Sequence, residues 1–521
     1  MKKTFISAAA VLAFAATAHA DELTDIQSQA RQLREQNAAM TKRLADLEKR
    51  QKALETQKPV TINPVDAMAA DLPYKAVVKA KAPENDDLCI KGICIYGNID
   101  MGVTYQNHGA PLSPLAVGPL DYVVSKNSNG AYFGVGPNQL STSFIGLRGK
   151  QEIADNLYAV FNLQTQFDPA SGQTASGVGS VAQNNGLAAA QQNAFSDSSK
   201  AGQMFNNAAY FGLSSPIYGT FTMGRQSALS SDLVVNYDSL SGSNAFSLLT
   251  YQGGNGGGGD TEDRIYDNSF EYRVNIGPVR LAAEAQLRNG GNSGTGNAFE
   301  GDVGFDYLGL SMDFLGGKIY DAVSASPLTA MQAQAATAVA VGTGQLAGTV
   351  SDNTVFQVGA RYSIGPWKLF AGYEHLDLAN PNNPLAAGAF IEGGFILTNP
   401  NNTNFPNDKI LQTAWIGAKY SVTSALDITG AYYHEWQNAF GTGSLAGCST
   451  VVSSQCSGTL DAVSLVVDWR FARHMDMYAG AMWSQVTNGL ASGFLQTNGT
   501  PGNTGNKANS VDPGIGLRYQ F

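Results

Sequence analysis

The sequence predicts an all-β fold for residues 89–521, a 16-stranded antiparallel transmembrane β-barrel, behind an N-terminal periplasmic α-helical coiled coil at 21–56. Three observations carry this. Apolar and polar residues alternate with a period of two in about 16 segments between Cys89 and Phe521. The polar faces are built from Asn, Gln, Thr and Gly rather than from Lys and Glu. Short turns alternate with long loops rich in Gly, Asn, Ser and Ala.

Composition narrows the field first. Charged residues make up 14% of the 521, against roughly 25% in soluble domains. With 10% aromatics the chain is too apolar for a disordered protein. After the N-terminus no stretch of about 20 residues is continuously apolar, so a helical membrane bundle is excluded. A net charge of -10 argues against nucleic acid as a partner.

At the N-terminus, Lys2 and Lys3 precede an apolar run from about Phe5 to Ala16, followed by Ala18-His19-Ala20. A charged start, a short apolar core and a small-residue exit spell a secretory signal peptide over 1–20, with Asp21 as the first mature residue. A membrane anchor is the alternative, and the run is short for one.

Residues 21–56 change period. Leu23, Ala30, Asn37, Leu44 and Gln51 repeat every seven residues, and Ile26, Leu33, Met40, Leu47 and Leu54 repeat three residues later. These are a and d positions with charged flanks, the coiled-coil signature. Leu23, Ile26, Leu33, Asn37, Met40, Leu44, Leu47 and Leu54 are therefore the candidate oligomerisation residues, Asn37 fixing register. The competing reading is a single amphipathic helix packed on a domain. Residues 57–88, with Pro59, Pro64, Pro73 and Pro83, read as a linker.

The four cysteines of an exported chain favour disulfides. Of three possible pairings, Cys89 with Cys94 and Cys448 with Cys456 is topologically simplest; four free thiols remain the alternative.

In the first barrel segment Ile93, Ile95, Ile99, Met101, Val103 and Tyr105 share one face, and Tyr96, Asn98, Asp100 and Thr104 the other. Segments at 157–167, 279–288 and 511–521 repeat the pattern. A soluble sandwich or β-helix adhesin would set Lys and Glu against its apolar face. Amide-rich polar faces fit lipid outside and water within, and only a closed barrel satisfies strand backbone in lipid. Seven short turns, near 151–155, 214–218, 276–278, 308–310, 365–366, 423–425 and 472–474, alternate with eight long loops. Both barrel ends therefore lie on the short-turn, periplasmic side, which places the coiled coil in the periplasm.

The stretches IYGNIDMGVTY (95–105), FIGLRGKQEIADNLYAVFNLQTQFD (144–168), AYFGLSSPIYGTFTMGRQ (209–226), DNSFEY (267–272) and GLRYQF (516–521) resemble the Gram-negative general porin family. That resemblance implies a homotrimer of 16-stranded barrels in the outer membrane, each with a water-filled pore narrowed by an inward third loop. It implies passive diffusion of small hydrophilic solutes and ions. It makes Phe521 a signal for the barrel-assembly machinery, and outer-membrane lipid, lipopolysaccharide and peptidoglycan the expected surroundings. Residues 21–88 depart from the minimal family barrel. The third loop, 227–263, lacks the Pro-Glu-Phe-Gly element of enterobacterial members.

By family pattern the inward loop supplies acids and the facing wall supplies arginines, which together set up a transverse field. The candidate acids are Asp232 and Asp238, with Asp260, Glu262 and Asp263 further along the loop. By parity Arg148, Lys150, Arg273 and Arg280 face the lumen, as do Arg288, Arg361, Lys368, Lys419 and Arg518 further round; Arg264 is another wall candidate. The resemblance puts Arg225 at the constriction, whereas its parity groups it with Phe221 and Met223 outside; a bulge at Gly224 would reconcile the two. Residues 89–521 hold 19 Lys plus Arg against 30 Asp plus Glu, a net of -11, which points to mild cation preference. Two other readings stay open: a solute-selective channel, for instance for carboxylates, and a structural tether between outer membrane and cell wall. Gly254, Gly256 and Gly259 match G-x-G-x-x-G without a strand–helix context, and neither the histidines nor the cysteines have metal spacing. No enzyme, cofactor or metal is expected.

Overall fold

The computed structural model describes residues 88–90, 92–107, 131–170, 172, 204–251, 265–287, 297–326, 347–382, 390–392, 395–397, 399–402, 407–440, 457–487, 496–497, 500–501 and 507–521. All of them belong to the second of two compact units, Met68–Phe521. The expected signal peptide, coiled coil and linker up to residue 87 lie outside the described residues. So do Cys448, Cys456, Arg264, Arg288 and the loop acids Asp260, Glu262 and Asp263.

Sixteen wall positions run in sequence order, each antiparallel to the last. They are β1 (Ile93–Gln106), β2 in two pieces (Tyr132–Pro137 and Phe144–Ala154), β3 (Leu157–Gln166), β4 (Ala208–Ser215) and β5 (Gly219–Ser227). After the inward helix α1 (Leu229–Tyr237) come β6 (Ile265–Ile276), β7 (Val279–Gln286), β8 (Ala298–Tyr307), β9 (Leu310–Ser326), β10 (Ala347–Ile364) and β11 (Trp367–Ala379). The wall finishes with β12 (Lys409–Ser421), β13 (Leu426–Gln437), β14 (Gly458–Ala472), β15 (Met475–Thr487) and β16 (Lys507–Gln520). β16 pairs with β1 from Gln520↔Asn98 to Gly514↔Thr104, which closes the barrel. Phe521 completes the seam: its carbonyl accepts from Gly97 N at 2.8 Å and its amide donates to Gly97 O at 3.0 Å.

Side-chain alternation decides which way each strand faces. On β1 Ile99 is 38% exposed while its neighbours Asn98 and Asp100 are 1% and 0% exposed. The outward row of exposed Phe211, Phe270, Phe314, Ile416, Leu465 and Leu517 continues around the wall. An apolar exterior over a polar interior is stable only with lipid outside. The hairpin turns sit where the sequence places them. Leu308 and Gly309, with φ of 47° and 87°, form a primed two-residue turn whose twist matches the strands it joins.

Two features depart from plain alternation. First, β2 is interrupted at 138–143, where Asn138 takes φ 57°. Its two pieces pair with opposite halves of β1. The break is held by Asp100, whose carboxylate accepts from the amides of Leu140 (2.9 Å) and Ser141 (2.7 Å) and from the Tyr478 hydroxyl. Second, part of the inner wall is apolar. Leu315, Val355, Leu376, Leu411, Trp415, Leu460, Val466 and Met482 face inward and form one cluster with the loop after β5. The hydrophobic core therefore lies inside the bore.

A short strand, Leu88–Ile90, folds back on Ile93–Ile95. The Cys89–Cys94 disulfide ties the two together.

Candidate functional site

The loop after β5 turns into the barrel, and its sequence explains why. Leu229, Leu233, Val234 and Tyr237 of α1, with Leu240, Phe246, Leu248 and Leu249 beyond it, bury their side chains against the apolar wall. Each such side chain contributes about 1.5–3 kcal/mol when taken out of a water-filled bore. α1 begins at Ala228, which offers no side-chain cap. The wall supplies one instead: Ser230 N donates to Glu300 Oε2 at 3.0 Å. Asp232 in the first turn favours the positive end of the helix dipole.

Polar anchors then fix the loop across the bore. Trp415 Nε1 donates to the Tyr237 carbonyl at 3.0 Å, and the Tyr433 hydroxyl donates to Asp238 Oδ1 at 2.7 Å. On the opposite side Ala245 N and Ser243 Oγ both donate to the Gln139 carbonyl, at 2.8 and 2.9 Å. The interruption of β2 thus provides the second abutment for the loop. Gly359 and Gly417 make room for it. A Cβ at Gly359 would lie 2.5 Å from the Tyr237 ring, and one at Gly417 would lie 2.2 Å from Ser239 Oγ.

The lumen charges fall into two arcs. On β6–β9 the acids Glu271, Glu284, Glu300, Asp302, Asp306 and Asp313 surround Arg273 and Arg280. Arg273 pairs with Asp232 of α1 and with Glu271 at 2.5 Å. Arg280 pairs with Asp306 and, at 2.7 Å, with Asp313, and donates to the Tyr237 hydroxyl at 2.9 Å. This arc holds α1 against the wall. Burial raises Tyr237 above the ordinary phenol range.

The other arc runs from β10 through β16 to β2. It carries Arg361, Lys368, Lys409, Lys419, Arg470, Arg518, Arg148 and Lys150 against Glu374, Asp427, Glu435, Asp468, Asp476, Asp512 and Asp100. Arg470 pairs with Asp427 at 2.9 Å and Arg518 with Asp476 at 2.7 Å. The Arg148 guanidinium lies 4.6 Å from the Tyr96 ring centroid, and the Lys150 ammonium 4.1 Å from that of Tyr158.

Between the loop and this second arc is an open space. Asn98, Gln164, Gln166, Asn207, Lys419, Asp468 and Arg518 line it from the wall side, and Ser239, Leu240 and Asn244 from the loop side.

The site residues expected from the sequence are distributed unevenly. Arg273, Arg280 and Asp232 come together behind α1. Asp238 is buried at 1% exposure, accepts from Gly242 N at 2.9 Å, and does not line the space. Arg225 sits beside the bulge: Gly224 has φ 132° and the register slips between Gly224 and Gln226. There its guanidinium bonds the Asn206 carbonyl at 2.9 and 2.6 Å and Asp267 at 2.5 Å, away from the space. Sequence reasoning missed Gln139, Tyr237 and Trp415, and the role of Asn98. Its available signal was the apolar residues at inward parity, such as Leu460, Ala462 and Val466 of β14, which make that segment apolar on both faces.

A strand-lined bore spanned by one inward loop is the geometry of a channel. The profile of Gram-negative porins matches residues 7–489 of the chain. Among solved structures, an anion-selective porin from Comamonas acidovorans shares 16% identity at a TM-score of 0.53, covering 82% of this chain and 99% of that one. OmpT, an outer membrane protein of Vibrio cholerae, shares 14% at 0.49, covering 84% and 100%. The outer membrane channel DcaP of Acinetobacter baumannii shares 11% at 0.44, covering 82% and 97%. No curated protein matches the chain. Closed barrel, inward loop and family profile agree, and the chain belongs to the Gram-negative porin family, the channels of the outer membrane.

Proposed function

We propose that small hydrophilic solutes and ions cross passively through the space between the inward loop and the second arc, and that the passage weakly favours anions. The observation that carries this is the division of charge. Net charge alone points to cations, but of the β6–β9 acids Glu271, Asp306 and Asp313 are paired with Arg273 and Arg280, and Glu300 caps α1. The passage itself is bordered by Lys419 and Asp468, with Arg518 held on Asp476 at 2.7 Å beside them. Low dielectric walls strengthen such a local field relative to charges on outer loops, which salt screens beyond roughly 8–10 Å. A reversal potential measured across a potassium chloride gradient tests the reading. Anion preference supports it, and clear cation preference overturns it in favour of the net-charge argument.

The rest of the chain is read with this function. Residues 1–20 serve as an export signal, and 21–56 as a periplasmic coiled coil that joins three barrels. Residues 57–88 link the two. The a and d heptads of 21–56 support a homotrimer. Phe521, stacked on Tyr519 at 5.7 Å and paired with Gly97, is free of any role in the bore, in keeping with a barrel-assembly signal. Lipopolysaccharide and phospholipid contact the apolar exterior, and the coiled coil reaches toward peptidoglycan. Crosslinking of the intact chain with and without 21–56 tests the trimer: loss of the three-chain band on deletion supports it.

A further inference from the structure

We propose that the passage holds a binding track for uncharged, hydroxyl-rich solutes of the saccharide class. This rests on the reading that the space beside the loop is the solute path.

The track is a chain of side-chain amides down β3 and its neighbours. Gln166 Nε2 donates to Asn207 Oδ1 at 2.6 Å, and Asn207 Nδ2 donates to Gln164 Oε1. Gln164 Nε2 donates to the Tyr96 hydroxyl at 3.4 Å, which donates to Asn162 Oδ1 at 2.5 Å. Each bond runs in the same sense, so each amide has its orientation fixed by the next. Alongside, Asn98 Nδ2 donates to the Thr142 carbonyl at 3.0 Å, an atom that only accepts. That contact directs Asn98 Oδ1 the other way.

Three acceptors are left over along this lining. Asn98 Oδ1, Gln166 Oε1 and Asp468 Oδ1 are buried and have no hydrogen-bond partner among the described residues. The three residues are 1%, 5% and 8% exposed. Such oxygens are costly to leave unsatisfied, and a solute that brings donors relieves that cost. Apolar side chains are interspersed in the same lining: Phe144 lies in register with Asn98 and Gln166 on the wall, and Val235 and Leu240 stand among Ser239, Ser241 and Asn244 on the loop. Amide groups with apolar surface between them match a sugar, which has hydroxyl edges and C–H faces. A carboxylate brings only acceptors and cannot answer the bare oxygens. An ammonium brings donors but meets Lys419 and Arg518 in the same lining.

Single-channel current in the reconstituted full chain tests this with maltotriose, a polyethylene glycol of equal hydrodynamic size and succinate as added solutes. The expected result is saturable block by maltotriose, with neither other solute saturating. Gln166→Met and Asn98→Leu should each weaken that block about threefold to tenfold, the loss of one or two neutral hydrogen bonds. If either variant does not fold, the three-solute comparison in the natural chain decides alone. Conductance that falls linearly with maltotriose, in step with the glycol, overturns the track while leaving the channel standing. Tighter block by succinate overturns it in favour of anion capture. Absence of any conductance overturns the channel reading and the track together.

Discussion

At Asp238 burial and hydrogen bonding pull in opposite directions. Burial raises its carboxyl above the ordinary 3.8, while the Tyr433 hydroxyl and the Gly242 amide pull it back. The raised value prevails, so the folded loop holds this proton more firmly than the unfolded chain does. Stability from this group is then fully present below pH 3.8 and declines as pH rises through the folded value. Thermal midpoints in detergent, compared between the natural chain and Asp238→Asn, should therefore diverge in slope over that interval; parallel curves would refute this. Gly359 allows a second test. A side chain there meets the Tyr237 ring, so Gly359→Val should cost about 1–3 kcal/mol and raise open-channel noise while the barrel still forms. An unchanged melting temperature with quiet channels would count against the socket. At this scale the sequence disclosed orientation but not partnership. Parity showed that Arg273 and Arg280 face inward. It did not show that Tyr237 and Asp232, more than 35 residues away in sequence, would occupy them.

At the scale of elements the strands were legible, because a one-residue slip would turn every side chain to the wrong face. The first strand reads the same in sequence and structure from Ile93 to Tyr105. The β2 interruption was not legible. Its residues are ordinary turn formers, and what holds them open is Asp100 from a neighbouring strand. The loop was legible as an inward element only through family resemblance. Its packing on Val355, Trp415 and Met482 depends on contacts across more than 100 residues. The ion pairs behind α1 give an element-level prediction. Arg273→Ala leaves Asp232, Glu271 and Glu284 facing each other, so α1 should loosen, with higher conductance and more frequent flicker than the natural chain. Quiet channels of natural conductance would show that apolar packing alone holds the loop. The Leu88–Ile90 strand pairs with the stretch of β1 just below the residue that receives Phe521. Cys94→Ser should free that strand to limited proteolysis while leaving the barrel resistant; unchanged cleavage would show that backbone pairing suffices. A closed loop this short stabilises by about 2 kcal/mol.

For the whole molecule, lipid and water have exchanged their usual places. The exterior row from Ile99 to Leu517 meets acyl chains, and the hydrophobic core is a loop pressed onto the inner wall. That core occupies one side of the bore, and its helix lies over Arg273, Arg280 and the acids paired with them. Under the proposed path, selectivity follows the charges bordering the passage rather than whole-chain charge. Fold class could be read from the sequence because lipid imposes alternation on every strand. Pore shape could not, because it is set by which inner residues the loop covers. The central claim is a solvent-filled passage through a lipid-facing barrel, and planar-bilayer recording of the purified full chain tests it most directly. The account predicts discrete conductance steps on insertion, persisting at low voltage; a bilayer that stays sealed with the folded protein inserted would contradict it.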